Sequence, residues 1–414
     1  MNPYRFFDYA STSPCSEEAL QTYLETSKEH FANPSSSHIL GQKAARIIRD
    51  AREFFASQFQ IEPAQVIFTG SGTEANNLAL IGSTLPSLVE APQKKAQLLF
   101  SAIEHASVRN TALSLKDFGV EVHPIPVNSQ GEILEDVFEK QLSEGVSVVS
   151  IQTVNQLIGA HVPIEKWAAL TKKLSPCAIF HTDAIQAFGR VPVPQAPSSQ
   201  VDLMSLSAHK IRGPKGMGAL IVLNRDLLKH KKLRPLIWGG GQEKGMRSGS
   251  QNPALIASFH RAAQAALAEQ NASHRHVLHL SETFKKLLTE KTIPELQWNS
   301  PHTHAIPHIL NLSFLGIPAA PLAGVLEEKK CIISTGSACH SKKSDPDPVL
   351  AALGLSTETQ NSAIRVSFSS QTQIKEVELL VEEIADSVTR LRLLLGKSLR
   401  QSPPNAKKNL NSKK

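Results

Sequence analysis

What most limits the folds open to this chain is a recurrence of short apolar runs: V-I-F at 66, L-L-F-S-A-I at 98, V-S-V-V-S-I at 146, A-I-F at 178, L-M-S-L at 203 and A-L-I-V-L at 219. Each is the length of a buried strand and too short for a helix. Helical-period segments lie between most of them, among them T-E-A-N-N-L-A-L from 73 and I-E-K-W-A-A-L-T-K-K-L from 164. That alternation specifies an α/β fold, a mostly parallel sheet covered on both faces. In such sheets ligands bind at the carboxyl ends of the strands, so the polar residues just after each run are the informative ones. Beyond G-G-G-Q at 239–242 the pattern changes to a long helical stretch over 254–290, strand-like I-L-N-L-S-F at 309 and I-R-V-S-F at 364, and an amphipathic helix over about 374–395. This reads as a smaller α+β domain. The expected division is a large domain over 15–255, a small one from 1–14 and 256–396, and a disordered basic tail over 397–414.

Much of the net charge of +7 comes from the last fourteen residues, 401–414, which hold four lysines and no acid. A nucleic-acid face would spread its basic residues over the fold and carry more aromatics than 5%; direct nucleic-acid binding is not expected. No apolar run approaches a membrane span, and none follows Met1 as a signal sequence would. Four cysteines (Cys15, Cys177, Cys331 and Cys339) lack C-x-x-C spacing, which argues against a disulfide framework and for a cytoplasmic chain with reduced thiols.

The run ending at Leu206 leads into S-A-H-K-I-R-G-P-K-G-M-G, 207–218. A lysine at a buried strand end needs a carboxylate or a covalent bond, so Lys210 demands a partner. After V-I-F-T come Gly70, Ser71, Gly72 and Thr73 at the start of a helical segment, which is either an ordinary cap or an anion site made of free N–H groups. Asp183 and Gln186 follow A-I-F-H-T; His105 follows L-F-S-A-I-E; Asn155 follows S-I-Q-T-V. Asp183 could cap a helix or hold a proton on a ligand nitrogen, and the His105 ring could fill a gap or stack on a ligand. Taken together, an imine-forming lysine, an acid, a flat side chain and a phosphate-type turn are the parts pyridoxal 5′-phosphate requires.

The chain resembles the cysteine desulfurases of the NifS/IscS type, within the aminotransferase class V branch of fold type I pyridoxal-phosphate enzymes. The resemblance runs through F-D-Y-A-S-T-S at 7, N-P-S-S-S-H at 33, T-E-A-N-N-L-A-L at 73, E-H-A-S-V at 104, H-T-D-A-I-Q-A-F-G at 181, the 207–218 stretch, G-G-G-Q-E-K-G-M-R-S-G at 239, S-T-G-S-A-C-H-S at 334 and I-R-V-S-F-S at 364. It implies a large domain built on a mostly parallel seven-stranded sheet. It also implies Lys210 as the Schiff-base lysine, Asp183 as the pyridinium partner and His105 stacked on the ring and catalytic. Gln186 and Asn155 would address the phenolic oxygen, while Gly72, Thr73, Ser207 and His209 would hold the phosphate, joined by Ser250 from a second subunit of a homodimer. Arg365, with Asn155, would bind the substrate carboxylate.

The implied reaction converts L-cysteine to L-alanine and leaves a persulfide on Cys339 for a sulfur acceptor, an iron–sulfur scaffold or a tRNA-thiolation factor. Cys339 lies in a loop of small residues with His340, Lys342 and Lys343 beyond it, charges that favour a thiolate. On composition alone it could equally be an idle thiol. The distance from Cys339 to the next helix resembles the subgroup with a long mobile loop.

One departure is notable. The family writes Asn-Asn-Glu before Ile-Gly, and this chain has Asn155, Gln156 and Leu157 there. If position 157 lies near the ring, the isobutyl group makes the pocket more apolar than a carboxylate would; otherwise it is core. Alternative readings are a selenocysteine lyase or another β-lyase of the same fold. A different class is a metal-binding or scaffold protein, suggested by the histidines of S-H-R-H-V-L-H at 273 and H-T-H-A-I-P-H at 302. Those clusters lack nearby cysteines or acids in ligand spacing, so no metal site is expected.

Overall fold

A computed structural model describes residues 3–90, 96–142, 145–336 and 347–396; Cys339 and the basic tail lie outside the described residues. In chain order the strands are β1 Arg5–Phe6, β2 Val66–Thr69, β3 Gln97–Ser101, β4 Glu121–Ile125, β5 Val146–Ser150, β6 Ile179–Asp183, β7 Leu203–Ser207, β8 Gly218–Val222, β9 Leu296–Trp298, β10 Ile309–Phe314, β11 Cys331–Ile332 and β12 Ala363–Ser367. Seven of them form one sheet in the order β2-β8-β7-β6-β5-β3-β4.

The six apolar runs become β2, β3, β5, β6, β7 and β8. Strand β4 has no such run, because it is an edge strand: Val122 and Ile125 are buried while His123 and Pro124 are exposed. Proline lacks a ladder donor and is tolerated at an edge. All neighbours are parallel except β8, which runs antiparallel to both β7 and β2. The link over 208–217 contains only a 3-10 turn, Ala208–Lys210, and so returns the chain beside β7 in the opposite direction.

Every residue of β6, β7 and β8 is buried, as a sheet covered on both faces requires. One face packs Phe55, Phe59, Phe188 and Phe259, with Phe55 and Phe259 at 4.7 Å between ring centroids; the other packs Leu78, Leu80, Leu98 and Leu220. A separate cluster joins the antiparallel sheet β12-β10-β9 to the helix Ile374–Leu394 through Leu310, Phe314, Phe284, Leu380 and Ile384. The helix Pro253–Glu290 serves both cores, with Phe259 and Ala263 in the first and Leu280 and Phe284 in the second. Asn252 caps it by accepting from the Leu255 N–H at 3.0 Å, with proline at the first helical position. No helix among the described residues is long and apolar enough to cross a membrane.

The N-terminal segment links the small sheet to the large one. Strand β1 pairs with β11, Asp8 bridges to Ser367 at the end of β12, and the Ala10 N–H donates to Ser367 Oγ at 2.9 Å. Ser13 then docks on the lysine turn: its N–H and its hydroxyl both donate to His209 O, at 3.0 and 2.7 Å.

Candidate active site

Register determines which strand-end residues meet. Thr69 pairs with Gly218, and Gly218 with Ser207, so the turn after β2 lies beside the turn after β7, although they are far apart in sequence. A cavity of about 270 Å³ opens there, lined by Ser71, Gly72, Thr73, His105, Asp183, Gln186, Ser207, His209, Lys210 and Arg365, together with Ala10, Ser11 and Gln156.

The phosphate-type turn is shaped by close packing. Ser71 Oγ accepts from the Glu74 N–H at 3.1 Å and caps the helix Gly72–Glu90, whose first N–H groups have no intrahelical carbonyl to bond. Glu74 accepts from the Gly70 N–H at 2.9 Å and pairs with Arg247 at 2.8 Å, tying the turn to the glycine-rich segment after 239. A Cβ on Gly72 would come within 2.3 Å of Ile185 Cδ1, and one on Gly218 within 2.6 Å of the Ser71 carbonyl carbon. Gly216 adopts φ +80°, which favours glycine. The glycines after Lys210 thus let β8 start directly against the turn.

Lys210 Nζ donates to Ala10 O at 2.6 Å and Ser11 O at 2.7 Å; among the described residues it bonds no carboxylate. Burial, then the Arg190 and Arg365 charges, pushes its amine down to about 7 against the opposing pull of Asp183 and Asp8. Near neutral pH a large part of this lysine is therefore an uncharged nucleophile. His209, its neighbour, is pushed down to about 4 by burial and then by Lys210, Lys215 and Arg190; it is neutral and shares a hydrogen bond with Thr12 Oγ1 at 3.1 Å.

Asp183 is buried at the end of β6 and held at both oxygens: Oδ2 accepts from Asn76 Nδ2 at 2.7 Å and Oδ1 from the Ile185 N–H at 2.9 Å. Asn76 also donates to Ser107 Oγ at 2.8 Å, and that hydroxyl lies 2.8 Å from His105 Nδ1. The acid and the flat ring therefore share one scaffold, Asn76–Ser107. Behind them Glu104 accepts from the Gln152 N–H at 2.6 Å; burial and then the Asp183 charge hold its carboxyl well above the usual range.

Arg365, on β12, is buried; Nη2 donates to Asp8 Oδ1 at 2.6 Å and Nη1 to Gln156 O at 2.8 Å, while its Nε has no partner among the described residues. Gln186 lines the cavity, but its amide donates to Ala10 O at 2.7 Å and accepts from Arg190.

Asn155 is not among the residues that line the cavity. Its Nδ2 donates to Ile103 O and its Oδ1 accepts from the N–H groups of Leu157 and Ile158, all at 2.8 Å, so it ties the turn after β5 to the segment after β3. Gln156, one residue on, lines the cavity instead. Both lone pairs of the amide oxygen are used, while the amide nitrogen keeps a second N–H beyond the one given to Ile103 O. Leu157 is fully buried in the hydrophobic core, so the expected effect on pocket polarity is withdrawn. Ser250 is exposed and does not line this cavity; its assignment depended on a second subunit. Cys339 lies outside the described residues.

Sequence reading missed Asp8, Asn76, Ser107, Gln156 and Arg190. Asp8 and Asn76 stood inside motifs already singled out, whereas Gln156 was noted only as a departure. Among the described residues, no three His, Cys, Asp or Glu side chains gather at metal-binding range.

The donor set fits a planar aromatic aldehyde bearing a phosphate. A low-pKa lysine can bond the aldehyde, a fixed carboxylate can meet a ring nitrogen, and a glycine-lined helix start with Thr73, Ser207 and neutral His209 can take the phosphate. A protein-family model described as aminotransferase class-V matches residues 5–380. The cysteine desulfurase IscS of Pseudomonas syringae pv. tomato is 35% identical over 392 residues, 94% of this chain and 94% of that one. A solved structure described as a NifS-like protein is similar with a TM-score of 0.85 at 28% identity, covering 94% of this chain and 100% of its own. Another, described as SspA in complex with cysteine, gives 0.74 at 30% identity over 89% of this chain and 100% of its own.

Proposed function

We propose a mechanism for this site from the premise that the chain belongs to the aminotransferase class-V family and is a cysteine desulfurase of the IscS/NifS type. Pyridoxal 5′-phosphate is the cofactor we assign to the cavity. Lys210 would carry it, Asp183 would hold the proton on its ring nitrogen, His105 would lie against the ring, and the helix start at Gly72 and Thr73 with Ser207 and His209 would take its phosphate. When bound, it supplies a sink for negative charge at the substrate α-carbon.

The residues of the chain do the rest. Arg365 receives the carboxylate of L-cysteine as a planar fork, with Asp8 and the Gln156 carbonyl keeping that fork in place. The SspA structure with cysteine supports this substrate. Lys210, released as a neutral amine, takes the proton from Cα. The Cys339 thiolate attacks the substrate sulfur, forming an S–S bond as the C–S bond breaks; Cys339 and L-cysteine thus become a persulfide and L-alanine. Sulfur then passes to an acceptor, an iron–sulfur scaffold or a tRNA-thiolation factor. Ser250 completes the phosphate site from the second subunit of a homodimer.

One observation carries this reading: a buried lysine amine, bonded only to neutral carbonyls among the described residues, faces the same cavity as an anchored aspartate. Borohydride treatment of the enzyme should fix the cofactor on a peptide containing Lys210, and Cys339→Ser should still give a cysteine-dependent absorbance change while forming no persulfide. Label elsewhere than Lys210, or persulfide at the parent rate in Cys339→Ser, sinks the assignment.

A further inference from the structure

Arg190 differs from three of the other arginines packed into this fold, and from Arg392, whose nearest carboxylate is Glu295 at 3.9 Å. Arg52, Arg247 and Arg365 each meet a carboxylate within 2.8 Å, at Glu243, Glu74 and Asp8. Arg190 meets none among the described residues. Its Nη1 donates to the backbone and side-chain oxygens of Gln186, the former at 3.4 Å, and its Nη2 donates to Lys210 O at 3.3 Å. It also shares with Lys210 a second cavity of about 70 Å³, on the side where Tyr9 and Ser13 face, whereas Ala10 and Ser11 face the first.

Leaving a partly buried guanidinium without a counter-charge is costly, and a neutral donor could make the same hydrogen bonds. The charge itself therefore needs a reason. We propose that Arg190 is a positioning residue for Lys210: its fork fixes the lysine backbone and the Gln186 amide, and its uncompensated charge disfavours a second cation beside it at the lysine side chain. This rests on the reading of Lys210 as the cofactor-bearing residue.

The charges around the lysine favour that assignment. Arg365 and Asp8 act on Lys210 with opposite sign and are bonded to each other at 2.6 Å, so their effects largely cancel. Asp183 pulls toward protonation, and Arg190 is the cation that opposes it. His209 is neutral, and burial, Arg190 and His274 keep buried His308 neutral too. Arg212 and Glu269, which also line the second cavity, bring opposite charges. Burial and Arg365 hold the Arg190 guanidinium down to about 10, well above neutrality, so the cation persists through the working range.

The test is a pH titration of the cofactor absorbance in the holoenzyme for the parent, Arg190→Gln and Arg190→Lys. Removing the charge should raise the midpoint by about one unit or more, the usual effect of a like charge nearby. The lysine variant keeps the charge and loses the fork, so its midpoint should stay within about a few tenths of a unit while kcat falls about tenfold. A midpoint unmoved in Arg190→Gln, or raised as far in Arg190→Lys, overturns the electrostatic role; parent kcat in Arg190→Lys overturns the positioning role. Should Arg190→Gln fail to fold, Arg190→Met, which also removes the charge, takes its place in the midpoint comparison. Borohydride labelling separates the levels: label absent from Lys210 in the parent means the functional reading has failed, whereas label present with unmoved midpoints means only this inference has.

Discussion

Replacing Asn155 by alanine separates a loop organiser from a cofactor ligand. The side chain makes three hydrogen bonds of 2.8 Å, to Ile103 O and from the Leu157 and Ile158 N–H groups, and all three of those residues are fully buried. Alanine leaves the Leu157 and Ile158 N–H groups without partners, while Ile103 O keeps its bond from Gln152 Nε2. At about 1–3 kcal/mol for each such group, a loss of about 2–6 kcal/mol is expected. That is a large part of a typical domain's 5–15 kcal/mol, so far-UV circular dichroism in increasing urea should show an early transition. Gln156→Ala removes the side chain that lines the cavity, so it should unfold within about 1 kcal/mol of the parent and instead weaken retention of the cofactor or of cysteine. Asn155→Asp keeps the acceptor for the two N–H groups but sets a carboxylate against Ile103 O; it should be destabilised without being rescued by added cofactor. The reasoning is refuted if Asn155→Ala unfolds with the parent and loses cofactor, because the amide would then serve the ligand after all.

Gly218→Ala should lose cofactor on dialysis faster than Gly72→Ala, because its new Cβ meets backbone on both sides, Ser71 C at 2.6 Å and Leu206 O at 2.8 Å, whereas that of Gly72 meets the movable tip of Ile185; equal retention by both would contradict the packing argument. His181, fully buried between Ser150 Oγ and Ser205 Oγ at 2.9 Å each, is pushed down to about 3 by burial. An unfolded histidine titrates near 6.5, so its contribution is intact above that pH and is lost as pH falls toward 3, costing about 2 kcal/mol between pH 7 and 5. Urea midpoints at those two pH values should converge by that amount in His181→Gln, and an unchanged gap would rule the histidine out as the acid-sensitive group.

The covered sheet is legible in the sequence, since fully apolar runs such as A-L-I-V-L at 219 cannot face water on either side. Candidate site residues were legible too: Lys210 and Asp183 at strand ends and Ser71, Gly72 and Thr73 in a glycine turn line one cavity. Tertiary structure alone decided which residues share the cavity. Strand β4 escaped notice because an edge strand is only half apolar, and Asn155 was preferred over Gln156 because sequence order does not say which of two successive side chains points inward once the strand has ended. Asp8 and Arg190 reach Lys210 only through folding: the first arrives along a segment stitched between β12 and the lysine turn, and the second because β6 and β7 are neighbours. Proton affinity belongs to the same level. A lysine reads as an ordinary cation in a sequence, and only burial with Arg190 and Arg365 beside it brings the amine down to about 7.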